Sequence, residues 1–270
     1  MSRTSLLLDV RSLILDMDGT LTRGSKPLPG LSNLFAFLHA RDIAFTVVTN
    51  NTVKTPEHYA RKLADFTVEI EVGQVITAAV ATADYLRHRL SPASPLFVIG
   101  ETGLRTALQQ AGFMLVDGAE KAVEAVVVGG DRSLTYDKLR IAVHYLLHGA
   151  QFIGTNPDLL VPTEYGLAPE AGVTLAALQT ATSIIPTIIG KPERPLLDLA
   201  LAHMQAKPEQ TAIVGDRLDT DILGGQHLGL TTILVTTGVD GETAITTKGI
   251  QPDHLVHGLD QLVTLWEDIA

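Results

Sequence analysis

Two aspartates stand two residues apart at the end of an apolar run, in the segment LILDMDGTLT at residues 13–22. Asp16 closes the run and Asp18 lies in the turn beyond it, so both carboxylates can face one reacting group from different sides. Two negative charges this close repel each other, and a proton or a metal ion relieves the repulsion. One carboxylate, ionised and bound to metal, could attack phosphorus, while the other could carry a proton. Gly19 allows the sharp turn that this arrangement needs.

Polar residues also stand where three further apolar runs end. They are Thr49, Asn50 and Asn51 at the end of AFTVVT, Lys191 after PTIIG, and Asp216, Asp219 and Asp221 after TAIVG. Ligands of open α/β sheets bind at the carboxyl ends of the strands, so we expect these side chains to meet. Carboxylate oxygens suit Mg²⁺, and a lysine can offset the charge of a phosphate.

Each of these residues also has an ordinary structural explanation. The aspartates after TAIVG could form a turn and a helix N-cap, where aspartate is common. Thr49 and Asn50 could belong to an ST- or Asx-turn, and Lys191 could be a solvated loop residue. Polar residues at the ends of four predicted strands favour one shared site over several unrelated explanations.

The elements that must position these residues are short β-branched runs alternating with segments of helical spacing. Predicted strands cover residues 13–16, 44–49, 96–100, 125–130, 151–155, 186–190, 211–215 and 231–236. Predicted helices cover residues 31–41, 55–66, 75–90, 136–149 and 194–206. Apolar runs without alternation suit strands buried on both faces of a parallel sheet. The pattern predicts a doubly wound, Rossmann-like α/β fold.

The chain has 270 residues, which is long enough for two domains. A polar segment at residues 87–95 and a Pro- and Gly-containing segment at residues 156–172 bracket a middle block with strands of its own. The residues alone leave open whether this block is an inserted domain or part of a single sheet.

Charge and composition exclude several classes of function. The net charge of −10 argues against a nucleic-acid partner, which needs a basic patch, but a local lysine or metal can still bind an anionic substrate. The absence of cysteine excludes disulfides, zinc thiolate sites and cysteine nucleophiles. We find no apolar run long enough for a signal peptide or a membrane span, and therefore expect a cytoplasmic protein without a membrane partner.

Four segments resemble, in order, the four motifs of the haloacid dehalogenase-like (HAD) phosphatases: DMDGT, TVVTNNTVKTPEHYARKL, GKPERP and VGDRLDTDILGG. The TNN segment and the GDRLDTDI form are similar to subfamily IIA, the NagD-type and p-nitrophenyl phosphatase branch. The middle block resembles the α/β cap of that branch. The resemblance implies a discontinuous HAD core at residues 1–80 and 184–270 and an inserted α/β cap domain at residues 81–183.

The resemblance also implies a role for each matching residue. Asp16 would be the nucleophile that forms an aspartyl-phosphate, Asp18 the general acid and base, and Lys191 the cation that balances charge on the nucleophile and the phosphate. The residues implied for phosphoryl binding are Thr49, Asn50, Asn51 and Lys191. Those implied for Mg²⁺ are Asp16, Asp18 through its backbone carbonyl, Asp216, and Asp221 directly or through water. The implied reaction is Mg²⁺-dependent hydrolysis of small phosphomonoesters.

Related activities and the substrate stay open at this point. A dehalogenase, a phosphomutase, a receiver-like module and a catalytically inactive binding protein are the alternatives, and the presence of both DxD aspartates favours the phosphatase. Nucleotides, phosphoglycolate, pyridoxal phosphate and sugar phosphates all fit the class, with p-nitrophenyl phosphate as an artificial substrate. We expect cap loops at residues 156–165 to set specificity, and the resemblance implies a homodimer or higher homo-oligomer through the cap.

Overall fold

The computed structural model describes residues 9–119, 122–163 and 166–267. Two of the sequence predictions fall partly outside the described residues: that on a signal peptide at residues 1–8, and that on the specificity loops at residues 164–165. The chain divides into two compact units. Unit 1 comprises Met1–Thr49, Pro56–Ile76 and Lys191–Ala270, and unit 2 comprises Asn50–Thr55 and Thr77–Gly190. The assignment of a core and a cap with a boundary at residues 81–183 stays a prediction.

Strands and helices alternate along most of the chain. The strands are β1 (Ser12–Asp16), β2 (Thr22–Arg23), β3 (Lys26–Pro27), β4 (Ala44–Thr49), β5 (Val75–Thr77), β6 (Pro95–Ile99), β7 (Met114–Val116), β8 (Ala125–Val128), β9 (Gln151–Gly154), β10 (Leu160–Thr163), β11 (Gly166–Pro169), β12 (Thr187–Ile188), β13 (Thr211–Gly215), β14 (Thr231–Val235) and β15 (His254–Val256). The α-helices are α1 (Leu31–Ala40), α2 (Pro56–Ala64), α3 (Ala78–Arg87), α4 (Thr102–Gln110), α5 (Tyr136–Leu147), α6 (Ala171–Thr182), α7 (Arg194–Met204), α8 (Leu223–Leu228), α9 (Glu242–Lys248) and α10 (Leu259–Glu267).

Unit 1 is built on a sheet with the strand order β15-β14-β13-β1-β4-β5. β1 lies between β13 and β4 and pairs with both in parallel, with Leu15 opposite Val214 and Asp16 opposite Val48. Every residue of β1 is buried, as expected for a central strand covered on both faces. The carboxyl ends of β13, β1 and β4 therefore lie side by side at one edge of the sheet.

Helices cover both faces of this sheet. Leu13 and Leu15 point to one face, where they share a core with Leu34 of α1 and Leu262 of α10. α7 packs against β1 and β4. Successive side chains of a strand alternate between its faces, so a strand without polar interruptions contributes apolar side chains to the cores on both faces of the sheet. The predicted doubly wound parallel α/β fold is confirmed.

Unit 2 contains its own parallel sheet, in the strand order β12-β9-β8-β6-β7, and a separate β10-β11 hairpin. Its core includes Phe97 of β6, Val126 of β8, Tyr145 of α5 and Leu178 of α6. No helix in the described part of either unit is both long and apolar enough to cross a membrane.

Two predicted elements need correction, and five helices, α4, α6, α8, α9 and α10, were absent from the prediction. The segment predicted as a helix over residues 75–90 begins as strand β5, because Val75, Ile76 and Thr77 are β-branched and Thr77 caps α3 by accepting a hydrogen bond from the Val80 amide at 3.2 Å. The strand predicted at residues 186–190 is only the short β12. The sequence prediction contains no helix at α4 or α6, whose glycines and threonines weaken the helical pattern.

Candidate active site

The carboxyl edge of the unit 1 sheet collects the predicted polar residues of that unit. Asp16 is the last residue of β1, Thr49 is the last residue of β4, and Asp216 directly follows β13. Because these strands are adjacent and parallel, their last residues come together without any long-range adjustment of the chain. Thr49 is buried at this edge.

A lysine ammonium group lies between two carboxylates at the centre of the site. Lys191 Nζ lies 2.6 Å from Asp16 Oδ1 and 2.6 Å from Asp221 Oδ1. The Lys191 side chain is 2% exposed, and the two aspartate side chains are buried beside it. Charge-assisted contacts of this length in a buried site orient both carboxylates strongly.

Asp216 supplies the third carboxylate. Its Oδ2 accepts a hydrogen bond from the Val239 amide at 2.7 Å, and its backbone carbonyl accepts one from the Asp240 amide at 3.0 Å. A Cβ atom at Gly19 or at Gly238 would overlap the Asp216 carboxylate. Both glycines are therefore required by the close approach of backbone to this side chain.

The three carboxylates form a site that fits a divalent cation. Oxygen atoms of Asp16, Asp216 and Asp221 lie within 4.8 Å of one another. Asp216 Oδ1 is buried and has no hydrogen-bond partner among the described residues. One lysine cannot balance three carboxylates, and a buried acceptor without a partner is costly. A cation held by carboxylate oxygens would satisfy both needs, and an oxygen-only ligand set suits Mg²⁺.

The pKa shifts follow from this crowding. Burial raises the pKa of Asp16 well above its usual range, against the pull of Lys191 and with the support of the two neighbouring carboxylates. Burial and the Asp221 charge raise the pKa of Asp216 to about 7. Burial alone would lower the pKa of Lys191, but Asp16 and Asp221 outweigh it and raise that pKa, so the ammonium group stays charged.

Asp221 reaches the site from a π-helical turn, Leu218–Ile222, that connects β13 to α8. Its Oδ2 accepts a hydrogen bond from the Arg217 amide at 3.1 Å, which leaves Oδ1 directed at Lys191. The N-cap position of this turn is Arg217, so Asp221 is not the helix cap that was the alternative explanation.

Asp219 lies outside the carboxylate cluster and forms part of the support for this turn. Its carboxylate pairs with Arg217 at 3.3 Å and with Lys248 at 3.2 Å. Lys248 also contacts Asp240 Oδ2 at 2.8 Å, and the same oxygen accepts a hydrogen bond from the Leu218 amide at 2.8 Å. The sequence prediction did not include Asp240 or Lys248, because neither follows a predicted strand in a recognisable motif.

Asp18 is separate from the three-carboxylate cluster found among the described residues. Its side chain is 49% exposed, and its Oδ1 lies 3.4 Å from Thr22 Oγ1 and 3.4 Å from Lys62 Nζ. Gly19 turns the chain with a φ of +96°, a conformation that L-residues with side chains rarely adopt. The exposed carboxylate of Asp18 is free to approach a ligand while Asp16 stays buried.

Asn50 and Asn51 belong to unit 2, where their polar atoms are used in local contacts. Asn50 donates a hydrogen bond to Asp158 Oδ2 at 3.1 Å, and its carbonyl accepts one from Asn156 at 2.9 Å. Asn51 Oδ1 accepts a hydrogen bond from the Val53 amide at 2.9 Å. The phosphoryl-binding role predicted for both asparagines stays a prediction.

Comparisons with known proteins agree with this architecture over nearly the whole chain. The family model described as haloacid dehalogenase-like hydrolase matches residues 13–114, and a second model of HAD-like hydrolases matches residues 188–262. A protein named acid sugar phosphatase from Staphylococcus aureus is 35% identical over 253 residues, which cover 94% of this chain and 96% of that protein.

Solved structures show the same relationship. The p-nitrophenyl phosphatase from Archaeoglobus fulgidus superposes with a TM-score of 0.90 at 30% identity, covering 95% of this chain and 99% of that one. NagD from E. coli K-12 superposes with a TM-score of 0.85 at 32% identity, covering 93% and 97% of the two chains. With its family motifs in order and relatives matched over nearly their whole length, the chain belongs to the haloacid dehalogenase-like hydrolases and is a phosphatase of the NagD and p-nitrophenyl phosphatase branch.

Proposed function

We propose that this phosphatase hydrolyses small phosphomonoesters in a Mg²⁺-dependent reaction through an aspartyl-phosphate on Asp16. The observation that carries the proposal is the environment of Asp16, which is buried at a strand end, 2.6 Å from Lys191 and close to two further carboxylates. A buried carboxylate whose ionised form is favoured by a lysine, and would be favoured further by a bound cation, is suited to attack phosphorus.

Asp16 and Lys191 act in the first half of the reaction. An Asp16 oxygen forms a bond to phosphorus while the bond from phosphorus to the ester oxygen breaks. Lys191 keeps the Asp16 carboxylate in one orientation and favours its ionised form, and its charge opposes the negative charge of the incoming phosphate. A divalent cation at Asp16, Asp216 and Asp221, with the backbone carbonyl of Asp18, would neutralise charge on the phosphoryl oxygens.

Asp18 acts on the proton in both halves. It donates a proton to the leaving ester oxygen, which departs as the alcohol. In the second half, Asp18 removes a proton from water as the water oxygen attacks phosphorus, the bond between phosphorus and Asp16 breaks, and inorganic phosphate leaves. Its exposed position in the turn after β1 is consistent with a group that must meet both the ester oxygen and water.

The identity of the substrate is a further part of the proposal. We assign Thr49, Asn50 and Asn51, with Lys191, to binding of the phosphoryl group. A sugar phosphate is supported by the name of the Staphylococcus aureus relative, and nucleotides, phosphoglycolate and pyridoxal phosphate remain in the same class. We further propose a cytoplasmic location, a specificity role for the loops at residues 156–165 and self-association through the predicted cap.

The test measures release of p-nitrophenol from p-nitrophenyl phosphate in the purified protein. We expect activity with Mg²⁺, loss of activity after chelation, and no activity in Asp16→Asn. Asp65→Asn, which changes an exposed aspartate of unit 1, should behave as the parent protein. Asp18→Asn should accumulate phosphoprotein with this good leaving group, detected by intact mass, because water is no longer activated.

Two outcomes would contradict the proposal. Activity that survives in Asp16→Asn would exclude Asp16 as the nucleophile. Full activity after complete removal of divalent cations would contradict the assignment of Asp16, Asp216 and Asp221 as a metal site. If neither outcome is observed, a screen of phosphate esters with Mg²⁺ would identify the substrate among the four classes.

A further inference from the structure

Lys62 lies beside the candidate acid and base, although the sequence analysis assigned no role to it within the family-like segment at residues 46–63. It stands on α2, and its Nζ donates a hydrogen bond to Thr22 Oγ1 at 2.8 Å. The same Nζ lies 3.4 Å from Asp18 Oδ1, and the Lys62 side chain is 16% exposed. A lysine that is largely buried and directed at a turn, rather than at water, has a defined structural task.

The turn after β1 brings Thr22 to the same place. The Thr22 amide donates to the Met17 carbonyl at 3.0 Å, and the Gly19 amide donates to the Thr22 carbonyl at 2.7 Å. Thr22 is fully buried, and its Oγ1 lies 3.4 Å from Asp18 Oδ1. Lys62 and Thr22 are thus both directed at one oxygen of a carboxyl group.

On the α2 side, the packing of the helix fixes the direction of Lys62. Tyr59, Ala60 and Leu63 are the buried residues of α2. Lys62 follows Tyr59 by three positions, so both lie on neighbouring parts of the helix surface. The lysine side chain is largely buried, and its ammonium group reaches the polar turn.

We propose that Lys62 is a positioning residue that acts with Thr22 to hold Asp18 in its working orientation. The ammonium donates to the Thr22 hydroxyl, the hydroxyl donates to Asp18 Oδ1, and the ammonium adds a longer contact to that oxygen. Oδ1 is therefore occupied as an acceptor, and Oδ2 is the oxygen that carries the proton to the ester oxygen. The inference rests on the acid and base role proposed for Asp18.

The distances favour action through Thr22 over a direct ion pair alone. The contact of Lys62 with Thr22 is 0.6 Å shorter than its contact with Asp18, as 2.8 Å compares with 3.4 Å. A half-exposed carboxylate paired only with a flexible lysine gains little order. A buried hydroxyl fixed by the backbone of its own turn provides the rigid partner that such a carboxylate needs.

The experiment compares two esters of similar shape, p-nitrophenyl phosphate and phenyl phosphate. The p-nitrophenolate ion leaves readily without a proton, whereas phenolate depends more on the acid. The value of kcat/KM includes formation of the aspartyl-phosphate and departure of the leaving group. Loss of orientation at Asp18 should therefore lower kcat/KM for phenyl phosphate more than for p-nitrophenyl phosphate.

We expect Lys62→Met to lower kcat/KM for phenyl phosphate about tenfold and to change that for p-nitrophenyl phosphate by less than about threefold, a part of what general acid catalysis supplies. Thr22→Val should show the same selective loss, and Thr22→Ser should restore most of it. The double variant should lose no more kcat/KM for phenyl phosphate than the more impaired single variant, because both residues serve one contact. Arg61→Met, at an exposed neighbour on α2, is the matched control.

Each outcome decides the inference. Equal losses on both esters would show that Lys62 serves phosphate binding or the fold, and would overturn its positioning role. An unchanged ratio in Thr22→Val would overturn the part assigned to the hydroxyl. A parent protein active on both esters, with activity lost in Asp16→Asn, keeps the proposed function even if the Lys62 result is negative. A parent protein inactive on both esters would overturn the proposed function and the role of Lys62 with it.

Discussion

Removal of the Lys191 ammonium group tests the electrostatic account of the site most directly. Lys191→Met keeps an unbranched apolar stem of nearly the same length and removes the charged ammonium group. Three carboxylates then remain within 4.8 Å of one another, and two of them, Asp16 and Asp221, lose a partner at 2.6 Å. We expect a less stable protein and the loss of phosphatase activity.

The size of the effect follows from burial. The lysine side chain is 2% exposed, and removing one partner of a buried ion pair costs about 3–5 kcal/mol. For a chain of this length, that loss lowers the melting temperature by roughly 10 °C. Protonation of one of the carboxylates would remove an unpaired charge and so limit the loss of stability. That protonation costs about 1.4 kcal/mol for each unit by which the pH exceeds the pKa of the carboxyl group.

Because this protonation depends on pH, the loss of stability caused by Lys191→Met also depends on pH. Without Lys191, the folded-state pKa of Asp16 rises further above its usual value of 3.8. A carboxyl group with a raised pKa binds its proton more tightly in the folded state, so folded stability falls as the pH rises from the usual value through the folded one. The destabilisation caused by Lys191→Met should therefore be larger at pH 8 than at pH 5.

The assay is thermal unfolding in the presence of a chelator at both pH values, with Lys207→Met as the matched control at an exposed position of unit 1. Addition of Mg²⁺ should recover part of the lost stability, because a cation would again pair the carboxylates. If Lys191→Met were no less stable than Lys207→Met, or if its loss were the same at pH 5 and pH 8, the electrostatic reasoning would be refuted.

Two further predictions concern the metal site. Gly19→Ala places a Cβ atom on the Asp216 carboxylate at a φ of +96°, so Mg²⁺ affinity measured by calorimetry and kcat should both fall at least tenfold. The control is Gly24→Ala, at a φ of +58° with no atom near the added Cβ, which should keep both values. Equal effects of the two substitutions would contradict the close-contact argument. Because burial and the Asp221 charge raise the pKa of Asp216 to about 7, and burial also raises that of Asp16, Mg²⁺ must displace protons below that pH. Affinity should therefore fall at least about tenfold per pH unit between pH 6.5 and pH 5. Binding that is independent of pH in this range would show that Asp216 is not a ligand.

Local sequence was sufficient for the elements at the centre of unit 1. The runs at β1, β4 and β13 are mainly apolar and contain no internal glycine or proline, which is the pattern expected of strands covered on both faces. The sequence was less informative where tertiary context decides the local structure, as at β5, where two β-branched residues, Val75 and Ile76, precede the helix N-cap at Thr77.

The candidate site shows the same division. Asp16 and Asp216 were predicted because each follows an apolar strand in a recognisable motif. Asp240 and Lys248 were missed because they follow no recognised motif, and Lys62 was given no role although it lies in the family-like segment at residues 46–63. Each of the three becomes relevant only through the group that it contacts. Nothing in the types or spacing of such residues marks them in a single sequence.

The sequence by itself determined the fold class, the family and the residue types that can perform phosphoryl transfer. Only the tertiary structure brought Lys191 to 2.6 Å from both Asp16 and Asp221, across 175 positions of the chain in the first case. The raised pKa of Asp216 and the lack of a hydrogen-bond partner for its Oδ1 among the described residues also depend on the tertiary structure. Desolvation and Coulomb energy depend on burial and on distances between atoms, and neither quantity is a property of residue order.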